Sequence, residues 1–120
     1  KQYTSCGRGT GKDRRALETK RYIDKTYLDN IGISEIARNL DIPRTALARS
    51  FKRAFGISPV FYRNRLRIAE SVPLLLLNPD SVTATCYGVG FEDISRFYRQ
   101  FKQHRLVAPS KFRMGSARTA

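Results

Sequence analysis

Apolar side chains recur at steps of three and four through most of this chain. They fall at Ile36, Leu40, Leu47, Phe51 and Phe55, and again at Val82, Val89, Phe97 and Phe101. That spacing lines one face of a helix. Each stretch reads as a short helix, a tight turn and a longer helix. Ahead of the first, Ala16, Ile23 and Tyr27 mark the apolar side of a helix from about Asp13 to Leu28, and Gly32 ends the connection. Ser58 and Pro59 predict a further helix start, the serine as cap and the proline in the first turn, where its missing N–H costs nothing. This connecting helix runs toward Leu77. Pro73 lies inside it and predicts a kink or an early stop near Val72, because an internal proline removes a hydrogen bond and crowds the preceding turn. Asn78, Pro79 and Asp80 then break the chain before Ser81. The expected fold is all-α, with about seven helices and no sheet.

The two stretches are copies of one unit. FKRAFGISPVFYR at 51–63 is echoed by FKQHRLVAPSKFR at 101–113, an offset of 50 at which Phe51, Lys52, Pro59 and Arg63 recur as Phe101, Lys102, Pro109 and Arg113. Upstream, Ile36, Ala37, Leu40 and Ile42 answer to Thr85, Cys86, Val89 and Phe91 at an offset of 49, so the second turn carries one extra residue. In the turns, Gly90 suits a positive φ, and Asp41 at the matching place is a residue type that tolerates one. Ala37 and Cys86 are the small residues expected where two helices cross closely, with Cys86 read as a buried hydrophobe rather than a reactive thiol. A repeated helix-turn-helix follows, dividing the chain into a first subdomain (13–57), a linker helix (58–78) and a second subdomain (79–114). Residues 1–12, rich in Gly and polar side chains, are expected to be a flexible linker or cut end, and 115–120 a flexible tail.

Charge narrows the function. Lys and Arg total 23 against 10 Asp and Glu, a formal net charge of +13, which points to a polyanionic partner. The longest purely apolar run, Leu74 to Leu77, is far too short for a membrane span, which needs about 18 residues or more, and no signal-peptide pattern is present. Cys6 and Cys86 stand far apart and His104 is the only histidine. Neither a disulfide framework nor a metal site is indicated, and a reducing cytoplasm fits. No cofactor is expected. Glu18, Glu35, Glu70 and Glu92 are scattered, no phosphate-binding glycine loop occurs, and an enzyme is not expected.

GFEDISRFYRQFKQHRLVAPSKFR, with Gly90-Phe91, Phe97, Phe101-Lys102, Pro109 and Arg113, resembles the signature segment of the AraC/XylS transcription regulators. LARSFKRAFGISPVFYRNRLR, from Leu47 to Arg67, is similar to the segment joining that family's first recognition helix to its linker helix. The resemblance covers about residues 13–114, the C-terminal DNA-binding domain of the family. It implies two homeodomain-like helix-turn-helix subdomains joined by one long helix, binding asymmetric duplex sites and contacting RNA polymerase. It also implies a separate N-terminal effector or dimerisation domain outside this chain. Three residues depart from the pattern: Leu106 where glycine is usual, Thr85 where Ile or Leu is preferred, and Pro73 in the linker helix.

In a helix-turn-helix the second helix enters the major groove, and the residues facing away from the core in its N-terminal half reach base edges. With Leu47, Phe51 and Phe55 inward, Arg44, Thr45, Ala48 and Arg49 are the candidate base readers of the first unit. Arg49 leads, because arginine offers two donors to guanine, and by resemblance it also matches a family position that commonly reads a base. With Phe97 and Phe101 inward, Ile94, Ser95, Arg96 and Arg99 are the candidates of the second, Arg99 matching Arg49 across the repeat. Lys52, Arg53, Arg63, Tyr98 and Lys102 are the candidate phosphate contacts. The expected function is sequence-specific binding of double-stranded DNA for transcription regulation, in the cytoplasm at the nucleoid. The alternative is a basic module that binds nucleic acid or an acidic partner without sequence preference.

Overall fold

Two turns with the same backbone geometry organise the chain in the computed structural model, which describes residues 11–78, 80–105 and 109. In the first, Asp41 adopts φ 58° and in the second Gly90 adopts φ 98°. The amide of Ile42 donates to the carbonyl of Ala37 at 2.9 Å, and that of Phe91 to Cys86 at 3.2 Å. One step earlier, Asp41 donates to Arg38 and Gly90 to Tyr87, both at 3.1 Å. A left-handed residue closing such a pair of bonds stops a helix and satisfies its last carbonyls. The spacing to the next helix differs by the single residue expected.

Six helices occur among the described residues, against about seven expected: α1 Gly11–Thr26, α2 Ile33–Asn39, α3 Arg44–Phe55, α4 Pro59–Leu77, α5 Val82–Gly88 and α6 Ile94–Arg105. Leu106, the first ten residues and the 115–120 tail lie outside the described residues. Helix α1 starts at Gly11 and ends at Thr26, two residues earlier at each end than expected, so 11 and 12 belong to a helix and not to a linker. The chain divides into two units, Lys1–Arg63 and Asn64–Ala120, with the division falling within α4.

In the first unit, Ala16 and Ile23 of α1, Ile33, Ile36 and Ala37 of α2, Ile42 of the turn, and Leu47 and Phe51 of α3 are buried together with Pro59. Polar Thr19 is fully buried because its hydroxyl donates to the Arg15 carbonyl at 2.8 Å. Leu40 is only half-buried. Phe55, expected inward, is a correction: it is 39% exposed. It occupies the last turn of α3, immediately before Gly56 reverses the chain at φ 81°, and its ring lies over Phe51 with centroids 4.8 Å apart. Phe55 therefore covers the core from outside.

The second unit packs Ile68 and Leu75 of α4 against Val82, Cys86, Val89, Phe91, Phe97 and Phe101. The Phe97 ring meets Phe91 at 5.5 Å and Phe101 at 5.8 Å, tilted geometries that aromatic pairs favour. Thr85, where the family resemblance calls for an aliphatic residue, is buried and donates its hydroxyl to the Ser81 carbonyl at 3.1 Å. The second α5 polar anchor is Ser81 itself, whose side chain caps the helix by accepting from the Ala84 amide. Cys86 is a buried free thiol, its pKa raised first by burial and then by Asp93. Arg67 is also buried, its guanidinium 5.5 Å from the Phe91 ring centroid.

Ser58 caps α4 as expected, accepting from the Phe61 amide at 3.0 Å. The early stop at Val72 does not occur: α4 continues through Pro73, and the Asn78 amide still reaches the Leu74 carbonyl at 2.8 Å. An internal proline costs about 3 kcal/mol. Burial of Leu75, with Val72 and Leu74 against the same core, offsets this at about 1.5–3 kcal/mol per fully buried side chain. Pro73 itself is exposed, so its ring displaces nothing in the core. Among the described residues no helix is long and apolar enough to cross a membrane.

Phe97→Ala should cost about 3–5 kcal/mol of unfolding free energy, and Phe55→Ala no more than about 1 kcal/mol, since its ring stays partly hydrated when folded. Urea midpoints decide, and equal losses would return Phe55 to the core.

Half-buried His104 has its pKa lowered from 6.5, first by burial and then by the charge of Arg65. The unfolded chain therefore takes up the proton at higher pH than the folded chain, and stability falls as pH drops through about 6.5 until the folded histidine protonates in turn. Between about pH 7.5 and about pH 5.5, above the carboxylate range, His104→Gln should flatten the fall in urea midpoint. A parallel pH profile in the variant would refute this.

Candidate nucleic-acid interface

The buried stripe of α3 (Leu47, Ser50, Phe51) determines what the helix exposes. Arg44, Thr45, Ala48, Arg49, Lys52 and Arg53 are all exposed, so every candidate on this helix lies outside the core. Helix α3 carries four basic side chains and no acidic one in RTALARSFKRAF. Arg44, in its first turn, donates from Nη1 to the Ser34 hydroxyl of α2 at 3.0 Å. The short first helix of the motif thus steadies a side chain at the start of the second.

In α6, Ser95, Arg96, Arg99 and Lys102 are exposed. Ile94 and Tyr98, also candidates, are half-buried and packed against the second core. Tyr98 presents an edge-on ring to Phe97 at 6.3 Å. The N-terminus of α6 is held by Asp93, whose carboxylate accepts from the Ser95 amide at 2.9 Å and whose carbonyl accepts from Phe97 at 3.0 Å. The helix sequence ISRFYRQFKQHR again has no acidic residue. The repeat thus yields two outward, acid-free, basic helix faces, one per unit.

Arg63 stands apart from the other phosphate candidates. It is half-buried, and its Nη1 donates to the carbonyl of Ile31. Beside it, the Tyr62 hydroxyl donates to Asp24, which also accepts from Lys20 at 3.0 Å, and Lys20 lies 5.6 Å from the Tyr62 ring centroid. The hydrogen bond to Asp24 raises the Lys20 pKa, and burial first, then Asp24, raises that of Tyr62. These residues tie the first turn of α4 to α1 and to the α1–α2 connection.

Sequence reasoning did not single out Arg15. This α1 residue lines a surface cleft of about 240 Å³ together with Ala46, Arg49, Ser50 and Arg53 of α3. Its position within RRALETKR resembles any solvated helix charge, and only the packing of α1 along α3 brings it beside the candidate reading helix.

Comparison with known proteins agrees with this architecture. The family model described as a helix-turn-helix domain matches residues 36–115. The arabinose operon regulatory protein of Escherichia coli is 31% identical over 104 residues, covering 86% of this chain and 36% of that protein. The transcriptional activator RhaS of Pectobacterium atrosepticum is 28% identical over 106 residues, covering 88% of this chain and 38% of the activator. The chain thus spans little more than a third of the length of these relatives. Among solved structures, the C-terminal domain of the two-component response regulator yesN from Fusobacterium nucleatum superposes with TM-score 0.72 at 28% identity, covering 79% of this chain and 93% of that one. A probable AraC family regulator from Rhodopseudomonas palustris has the same fold, with TM-score 0.75 at 23% identity over 84% of this chain and 95% of that one. With its duplicated helix-turn-helix and two basic outward helices, the chain belongs to the AraC/XylS family of helix-turn-helix transcription regulators.

Proposed function

We propose that this chain is the sequence-specific DNA-reading part of a transcription regulator and that α3 and α6 enter successive major grooves of one duplex. The observation that carries this reading is the pair of basic, acid-free helices exposed at equivalent places of a repeated helix-turn-helix. Two such helices serve one face of the duplex when they lie about 34 Å apart, one helical turn. Arg49 and Arg99 act as the principal base readers through paired donors to guanine O6 and N7. Arg44, Thr45, Ala48, Ser95 and Arg96 surround them, and Ile94 offers an apolar contact to a thymine methyl. Lys52, Arg53, Tyr98 and Lys102 meet phosphates and set the register. Arg63, with its bond to Ile31, serves the first unit's packing at least as much as any phosphate.

In this reading the module works with a separate effector or dimerisation domain, which the greater length of its relatives supports, and it contacts RNA polymerase in the cytoplasm at the nucleoid. The module itself performs no catalysis in this reading. The net charge of +13 also suits a module that grips any polyanion, and the two readings differ in one measurable way. Selection of bound duplexes from a random library should return a defined site, and competition with random duplex should leave that complex largely intact. A library that returns no preference supports the unspecific module.

Arg49→Ala and Arg99→Ala should each reduce the preference for the selected site by about 1–3 kcal/mol. Lys52→Ala should weaken selected and random duplexes alike. Equal effects of all three on both duplexes, measured by competition binding, would reject this division of roles. Affinity should also fall steeply with salt, because each neutralised phosphate contributes a slope of about −0.9 in log K against log salt. A flat salt response in the same assay would remove the phosphate contacts altogether.

A further inference from the structure

Three arginines line the cleft between α1 and α3. Arg49, Ser50 and Arg53 stand at i, i+1 and i+4 on α3, Ala46 completes the wall one turn earlier, and Arg15 arrives from α1. Among the described residues no carboxylate lines it. Arginines converging on one hollow repel one another unless an anion lies among them, and the planar fork of arginine matches phosphate oxygens. About 240 Å³ accommodates a compact oxyanion of the size of a phosphodiester group. On the helical wheel of α3, Arg49 lies almost opposite buried Leu47, whereas Arg53 and Ser50 turn progressively toward α1. Arg49 is therefore at the lip of the cleft on the side of the reading face, and Arg15 and Arg53 are the side chains set back from it.

We infer that Arg15 and Arg53 clamp one backbone phosphate of the bound duplex in this cleft, with Arg49 at its edge reaching on to the base. This rests on the DNA-reading role proposed above and adds a positioning residue, Arg15, on a helix outside the helix-turn-helix. The clamp fixes α3 in register, because a phosphate held from two helices sets both the depth and the roll of the helix in the groove. A phosphate contact positions without reading sequence, so the effect of Arg15 is the same for every duplex.

The experiment uses the whole chain, duplex selected from a random library, a random duplex, and methylphosphonate substitutions that neutralise one phosphate at a time. Arg15→Ala and Arg15→Gln should each weaken both duplexes about tenfold, the usual worth of one hydrogen bond to a charged group, and lower the salt slope by about 0.9. One methylphosphonate position should weaken the wild type and have no further effect on either variant. Arg15 is exposed and its carbonyl bond from Thr19 is unchanged by either substitution, and matching circular dichroism melts confirm that the variants fold. Unchanged affinity in both variants overturns the clamp, as does a loss confined to the selected duplex or sensitivity of variant and wild type to the same phosphates. Stabilisation of the free protein by inorganic phosphate through Arg15, with DNA binding unaltered in the variants, also overturns it, because the cleft would then take a free anion. A wild type with no duplex preference but an Arg15-dependent affinity for random DNA would instead refute sequence reading and leave the clamp standing.

Discussion

Burial of one side of α3 and α6 governs the rest of the molecule. Leu47 and Phe51 in one unit, and Phe97 and Phe101 in the other, have no exposed surface, and removing each from water contributes roughly 1.5–3 kcal/mol. A helix rotated to expose these side chains would lose that contribution several times over. Its outer face is consequently held in one orientation, and the arginines on that face are presented by a rigid support. The positive-φ turns at Asp41 and Gly90 complete the constraint by setting where each outward helix starts relative to the short helix before it.

The electrostatics run against stability and in favour of binding. Both outward helices concentrate basic groups without carboxylates among them, and self-repulsion of this kind destabilises a compact state. Carboxylates are used elsewhere for local structural tasks: Asp24 ties α1 to the start of α4 through Lys20 and Tyr62, and Asp93 caps α6. A polyanion neutralises the exposed charge and releases its own counterions. The distribution of charge, more than its total, distinguishes a nucleic-acid reader from a generally basic surface.

Much of this was legible in the linear pattern because helical periodicity and turn chemistry are local. The Ser58 cap and the inward phenylalanines of the second unit depend on residues within one or two helical turns of each other, and the repeat, with its one-residue difference between the turns, shows when two such local patterns are aligned at offsets of 49 and 50. What the local pattern did not settle has a common cause. Phe55 fits the apolar spacing but falls at a helix end where the chain reverses. Pro73 breaks a local rule and is tolerated because Leu75 is anchored in a distant core. Thr85 departs from an aliphatic pattern and is accommodated because Ser81 supplies an acceptor. Arg63 looked like a surface charge, yet the Ile31 carbonyl, remote in sequence, engages it.

The amino-acid order by itself determined the helix class, the duplication, the positions of both turns and the candidate reading faces, since each follows from spacing along one helix or from the φ preference of one residue. Tertiary packing alone decided which charges share a site. Arg15 and Arg53 are far apart in the chain and acquire a common cleft only when α1 lies along α3. Likewise, Arg44 acquires Ser34 as a partner only when α2 and α3 fold against one another. Such pairings depend on three-dimensional proximity between helices, which the periodicity of a single helix does not encode.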